Sequence, residues 1–269
     1  MHSLQLSWPQ EAISQALSPF WPEFVVEAVP QLDSTNTALL ERARSGHTMP
    51  VLLVTEKQTA GRGRMGRQWH NTQPAGGMLA FSLGLPLPAC DLSGLSLVVA
   101  CSVVNSLDAQ QRHGLRIKWP NDLWLGSSKL GGILVEICSQ GAQRYAVIGV
   151  GINITEPLPL PPAAANQPTQ QPPAWVQQFA PQASAPDVLA LVAAPLAAAV
   201  HQFTQRGFTP WQSRFMARDA LAGQAVRWSD GDTGVVQGVN AQGALLLQTA
   251  RGVRTVLSDE ISVRPQGLC

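Results

Sequence analysis

The sequence predicts a mixed α+β fold, a largely antiparallel sheet flanked by helices, with a small all-β module at its C-terminal end. Three observations predict it. Strand-like segments between about residues 115 and 154 are joined by links too short for parallel crossovers, so they must pair antiparallel. Long apolar stretches at about 92–113 and 187–206 suit helices packed on that sheet. From Gly223 onward the pattern changes to five short strands joined by SDGD, NAQG and ARG.

Taken in order, EFVVEAV at 23–29 reads as a strand, and LDSTNTALLERARSG supplies cap-type residues and then a helix ending near Gly46. VLLVT at 51–55 and MLAFSLG at 78–84 are branched, apolar strands separated by a polar loop. The helix at 92–113 is closed by Gly114, and RIKW, DLWL, KLGGILVEICS and RYAVIGVGINIT then follow as strands turned by PND, GSS and SQGAQ. Residues 156–186, rich in Pro, Gln and Ala, read as an irregular surface insertion. Helices are expected at 187–206 and 209–221, and then the strands QAVRW, TGVVQGV, ALLLQT, VRTVL and ISVR. The expected division is a main unit at 1–222 and a smaller one at 223–269.

Composition narrows the function. Of 269 residues 45% are hydrophobic and 13% charged, against about 25% charged in ordinary domains, so core material is ample. Eighteen basic and 17 acidic residues leave a net charge of +1, which disfavours a DNA partner, whose binding rests on many Lys and Arg contacts to phosphate. The apolar runs Leu95–Val104 and Val188–Val200 fall short of the ~20 residues of a bilayer span, so no membrane partner is expected. MHSLQLSWPQEAIS lacks the basic-then-apolar pattern of a secretory signal. Cys90, Cys101, Cys138 and Cys269 are widely spaced, so reduced thiols and a cytoplasmic location are expected.

Lys57, Lys118 and Lys129 are the three lysines among the 18 basic residues, so each is a candidate for work that needs a compact ammonium. Gly61-Arg62-Gly63-Arg64-Met65-Gly66 matches a dinucleotide fingerprint in letters only. RQWHNTQPAGG follows it, and that segment cannot form the helix a fingerprint requires. What remains is a flexible loop carrying Arg62, Arg64 and Arg67, either a solvated turn or an anion clamp of guanidinium groups on mobile glycines. In RYAVIGVGINIT one face is apolar, while the other presents Tyr145, Val147, Gly149, Gly151 and Asn153. Paired glycines there admit either a closely packed helix or a ligand floor. Across a hairpin about GSS, Asp122 and Lys129 fall near one another, as a surface ion pair or as an ammonium held ready for a bound anion.

Together and in order, DSTN at 33–36, GRGRMGRQW at 61–69, KWPND at 118–122, KLGGILVE at 129–136 and GVGIN at 149–153 resemble the biotin–protein ligases of the biotin/lipoate ligase superfamily. The tail segment NAQGALLL resembles that family's C-terminal SH3-like module. The resemblance implies an ATP-dependent reaction in two steps. Biotin is first joined to AMP as biotinyl-5′-AMP with loss of pyrophosphate. A lysine of a biotin carboxyl carrier protein then takes the biotinyl group and releases AMP.

It implies biotin contacts at Ser34, Thr35, Gln58, Gly61, Arg62, Arg64, Lys129 and Gly132, and adenylate contacts at Asn36, Arg62, Arg64, Asn121, Lys129 and Asn153. Lys129, Arg64 and Asp122 are the implied catalytic residues, with Mg2+ carried by the ATP phosphates rather than by protein groups. A homodimer is also implied as an option. About 30 residues precede the DSTN region, too few for the DNA-binding module of bifunctional members, so a monofunctional form is expected. The Arg/Gly loop is expected to order over the adenylate and exclude water. The alternatives are a lipoate or octanoate ligase on the same scaffold, and a non-catalytic biotin- or nucleotide-binding module.

Overall fold

The computed structural model describes residues 6–70, 73–140, 143–158, 172–228, 232–257 and 263–265. Seven strands make the main sheet: β1 (Val25–Leu32), β2 (Val51–Gln58), β3 (Met78–Leu87), β4 (Leu115–Lys118), β5 (Asp122–Leu125), β6 (Ser128–Gln140) and β7 (Gln143–Asn153). Their spatial order is β1-β2-β3-β7-β6-β5-β4. Only β1 and β2 pair parallel, Val26 facing Leu52, and the remaining neighbours are antiparallel as the short links require. Strand β1 runs on through Pro30 to Leu32, which an edge position tolerates because proline has no N–H to give a further strand.

Alternation along β7 divides the molecule into layers. Ala146, Ile148, Val150 and Ile152 enter the larger core with α1 (Gln10–Leu17), α3 (Leu95–Leu107) and α4 (Ala185–Arg206). Tyr145 and Val147 point the other way, into a smaller cluster with Leu39, Leu40 and Ala43 of α2 (Thr35–Arg44). Helix α1 was not among the expected elements. Helix α4 has the length and apolar composition of a membrane span, but it packs on α3 and α1, with half of its apolar stretch buried. The Cys101 thiol, fully buried within α3, is pushed up to about 12 by burial, and Cys90, Cys101 and Cys138 are free. Cys269 lies outside the described residues.

Three helices differ in extent from expectation, two of them through a side chain bonding to backbone and one through backbone pairing with β4. Helix α3 stops at Leu107, short of the expected 113, because the Asp108 carboxylate accepts from the amides of Arg112, His113 and Leu115 at 2.8, 3.2 and 3.2 Å. Such a turn competes directly with further helix. The helix expected at 209–221 is a 3-10 turn (Thr209–Trp211) and a short α5 (Gln212–Met216). Beyond α5 the chain lies along β4, Ile117 N–H donating to the Arg218 carbonyl at 2.8 Å and Ala220 N–H to that of Ile117 at 2.9 Å. Helix α4 begins at Ala185, two residues early, behind a Ser184–Asp187 capping box.

Of the Pro/Gln-rich segment, 159–171 falls outside the described residues. Its flanks are tied to the sheet: Ala174 N–H donates to the Lys129 carbonyl at 2.9 Å and Gln177 N–H to that of Ile154 at 3.0 Å.

The C-terminal strands β8 (Ala225–Trp228), β9 (Thr233–Val239), β10 (Leu245–Thr249), β11 (Gly252–Val256) and β12 (Val263–Pro265) form an antiparallel sheet in the order β11-β10-β9-β8-β12. It rests on the main unit through its β9–β10 turn. The fully buried Trp119 donates its indole N–H to the Gly243 carbonyl at 3.0 Å, and an added Cβ on Gly243 would lie 2.9 Å from Gly94 Cα. Trp119 is joined to Pro120 by a cis peptide bond. Below it Arg218 and Asp108 form a buried ion pair at 3.1 Å, and Arg218 also donates to the Leu115 carbonyl at 3.1 Å.

Candidate active site

On the α2 face, the middle of the sheet carries almost no side chain. Gly149, Gly151 and Gly132 lie there with Ser82 of β3, which pairs with Gly149. A Cβ on Gly149 would collide with Asn36 Oδ1, and one on Gly151 would fall 2.8 Å from Trp69 Cε2. The packed-helix reading of the glycine face is realised at Gly149, where the start of α2 is seated, while at Gly151 the space is taken by the chain's own Trp69 ring. Asn153, at the end of the row, donates to the Ala174 carbonyl at 2.9 Å, and the Gln73 amide lies 3.5 Å from its Oδ1.

Beside this floor the β5–β6 hairpin brings two sequence-nominated residues into contact. Asp122 and Lys129 pair at 2.6 Å, with Lys118 Nζ 4.0 Å from the other carboxylate oxygen. An added Cβ on Gly132 would lie 3.5 Å from Lys129 Nζ and 3.6 Å from Asp122 Oδ1, so the pair stands over that glycine. Lys129 Nζ also sits 5.3 Å from the Trp69 ring centroid, and Lys118 Nζ 5.4 Å from that of Trp124, distances at which a ring face attracts a cation. Two ammonium groups thus share one carboxylate.

The GRGRMG segment is a tight arginine hairpin. Arg62 bridges to Gln68, Gly63 N–H donates to the Arg67 carbonyl at 2.7 Å, and Trp69 N–H donates to that of Gly61 at 2.9 Å. Its tip turns through Met65 at φ 56° and Gly66 at φ 70°, the left-handed region that glycine enters without strain. Arg62 reaches across the sheet to Glu136 at 2.8 Å and to within 3.5 Å of Thr37 Oγ1. Arg64 reaches to 3.5 Å from Asn121 Oδ1. Asn121, next to Asp122, is itself fixed by donating to the Ile133 carbonyl at 2.7 Å. Arg64 and Lys129 therefore converge on one turn.

The third group lies at the N-terminus of α2. Ser34 caps the helix, accepting from Thr37 N–H at 3.4 Å. Gln58 Oε1 accepts from the Thr35 amide at 2.9 Å and from the Thr35 hydroxyl at 3.3 Å. Its Nε2 lies 3.0 Å from where a Gly61 Cβ would be. Ser82 Oγ lies 2.6 Å from both Thr35 Oγ1 and Asn36 Oδ1. The Asn36 amide donates to the Leu134 carbonyl at 3.2 Å and to Glu136 Oε2 at 3.0 Å. Asn36 is thus buried with both ends of its amide occupied, beneath the site rather than at its rim.

Cavities of about 410 and about 240 Å3 lie elsewhere, the first by Met49, Pro86 and Tyr145, the second by Met216, Asp219 and Gly238. Neither is lined by a nominated residue. Sequence reasoning overlooked Glu136, Ser82 and Gln73. An acid standing on the glycine face of an otherwise apolar strand was the signal available for Glu136.

The model of the biotin/lipoate A/B protein ligase family matches residues 28–153. The bifunctional ligase/repressor BirA of Escherichia coli is 34% identical over 251 residues, covering 89% of this chain and 74% of that protein. The biotin–[acetyl-CoA-carboxylase] ligase of Paracoccus denitrificans is 32% identical over 237 residues, covering 85% and 96%. Among solved structures, the biotin protein ligase of Aquifex aeolicus in complex with biotin and ATP superposes with a TM-score of 0.74 at 26% identity, covering 90% of this chain and 99% of that one. With relatives at 30% identity or more matched along most of their length, the chain belongs to the biotin/lipoate A/B protein ligase family.

Proposed function

We propose that this chain is an ATP-dependent biotin–protein ligase that biotinylates a lysine of a biotin carboxyl carrier protein through biotinyl-5′-AMP. The supporting observation is the convergence of Lys129, Lys118 and Arg64 on the Asn121–Asp122 turn, beside a glycine floor. Biotin's carboxylate and the α-phosphate of ATP repel each other, and cations fixed where they meet offset that repulsion as charge passes to the departing pyrophosphate. Preorganised groups of this kind contribute ~3–4 kcal/mol when removed singly.

In this reading the hydroxyls of Ser34 and Thr35 and the amide of Gln58 face the ureido ring, whose neutral donors and acceptors they match. Arg62 and the Gly61 backbone take the acid end, and Gly132 leaves room beneath it. Lys129 and Arg64 neutralise the reacting oxygens, and Asn121 faces the adenylate. Asn36 and Asn153, with their amides occupied, shape the floor. Asp122 orients Lys129 in the first step, and in the second it orients the acceptor lysine and accepts the proton that its nitrogen gives up on attacking the mixed anhydride. The arginine hairpin then covers the mixed anhydride and keeps water from it.

Mg2+ enters on the ATP phosphates. Among the described residues no three or more His, Cys, Asp or Glu lie together, and Asp122 is engaged with two ammonium groups. We read the five-stranded C-terminal sheet as the SH3-like module, with units at 1–222 and 223–269. Free thiols and the need for ATP suit the cytoplasm.

The test supplies the purified chain with ATP, Mg2+ and labelled biotin. Label should pass to a carboxyl-carrier domain and not to free lysine, with pyrophosphate released. Labelling by lipoate or octanoate in place of biotin, or no transfer at all, would overturn the reading.

A further inference from the structure

Glu136 stands where nothing in the proposed chemistry calls for an acid. Strand β6 alternates, Ile133 entering the larger core while Leu134, Glu136 and Cys138 turn to the α2 face. Its carboxylate is little exposed, at 21%, beside Val147 and the α2 cluster, and a charge so placed is retained only if it is well paired. Both oxygens are paired. One meets Arg62 at 2.8 Å, and the other accepts from Asn36 at 3.0 Å.

These two contacts close a ring. From Glu136 it runs through Asn36, Ser82 and Thr35 to Gln58, three residues before Gly61, and returns along the hairpin to Arg62 and Glu136. The ring joins the groups assigned to biotin's ureido end with the arginine assigned to its acid end. Resting on that assignment, we infer that Glu136 is the positioning residue of the arginine hairpin, holding Arg62 at a fixed distance from the Thr35–Gln58 pair so that one biotin meets both.

A bidentate carboxylate is suited to this, because charge-assisted bonds are short and directional. The more exposed half of the pair, Arg62 at 46%, lies on the element that must be held, and the half-buried Glu136 lies on the sheet. A second anchor, Trp69 on Gly151, fixes the far leg of the hairpin.

The experiment compares Glu136→Gln, Glu136→Asp, Arg62→Gln and the Arg62→Gln/Glu136→Gln pair. Glu136→Gln should raise the KM for biotin about tenfold or more, the scale of a lost charge-assisted bond, while kcat for adenylate formation and the KM for ATP change far less. Trypsin, in the absence of substrates, should cut after Arg64 and Arg67 faster in Glu136→Gln and in Arg62→Gln than in the parent. Glu136→Asp should recover part of both effects, and the double variant should be no worse than the worse single.

An unchanged cleavage rate in Arg62→Gln, additive losses in the double variant, or an unchanged or lower biotin KM in Glu136→Gln would overturn the inference. Should Glu136→Gln fail to fold, the exposed Arg62→Gln and the conservative Glu136→Asp still decide it by cleavage. A parent chain that labels nothing with biotin would sink the assigned function, whereas proteolysis would still judge the latch.

Discussion

Lys129 carries the most specific expectation at the level of single residues. Its ammonium is held by Asp122 and stands over Gly132, so Lys129→Ala removes the cation and leaves Asp122 with Lys118 alone. With the side chain 42% exposed, truncation should leave the melting temperature nearly unchanged while biotin-dependent pyrophosphate release falls at least ~100-fold. Release at the parent rate would remove Lys129 from the chemistry. The pair was legible beforehand because its contact is local: the two residues stand seven apart on the arms of one hairpin, Lys129 facing Trp124 and reaching Asp122 diagonally. The partnership of Arg62 with Glu136, 74 residues apart, was not. It depends on β7 lying between β3 and β6, and no pattern within either segment encodes that order.

Among elements, β7 shows how alternation was read correctly while its consequence stayed ambiguous. One face went to the large core as expected. The glycines on the other face meet Asn36 in the first turn of α2 at Gly149 and an indole at Gly151, and the sequence alone gives no sign of which partner takes which position. Gly151→Ala tests the arrangement. The new methyl would press into the Trp69 ring, whose N–H already points at Met78 sulfur at 2.9 Å. Expected is a stability loss of about 1–3 kcal/mol, as for overpacking, with weakened adenylate formation. A variant of parental stability and activity would show that the ring moves aside without consequence. Helix ends were the least legible features, because Asp108 ended α3 through three backbone amides, a device that composition does not distinguish from an ordinary helical aspartate.

At the scale of the whole molecule, the junction between the sheets holds a buried acid, Asp219. Burial raises it to about 6, against the opposing pull of the Leu221 amide and then of Arg116, and its Oδ2 has no hydrogen-bond partner. Because the folded chain binds this proton more tightly than the unfolded one, whose value is near 3.8, the group's contribution to stability is largest at low pH. It is lost as pH rises from about 4 to about 6, by about 3 kcal/mol, and is constant above. Asp219→Asn should remove that slope. Denaturant unfolding of variant and parent across this window should give curves that diverge; parallel curves would contradict the assignment. Asp108 works in the opposite sense. Burial pushes it up, but the amides of His113 and Leu115, Arg218 and the Arg112 amide outweigh this and hold it below its ordinary value. Its contribution is therefore lost only as the solution becomes strongly acidic.

The indole of Trp119, bonded to the Gly243 carbonyl, sits directly before the Pro120–Asp122 turn on which the cations gather. The tail is therefore a buttress, and engineering that treats the two halves as interchangeable modules will meet a structural debt. Grafting a foreign tail onto this catalytic half requires a backbone oxygen at the same height above that ring, or the floor of the reaction chamber is left without its outer wall.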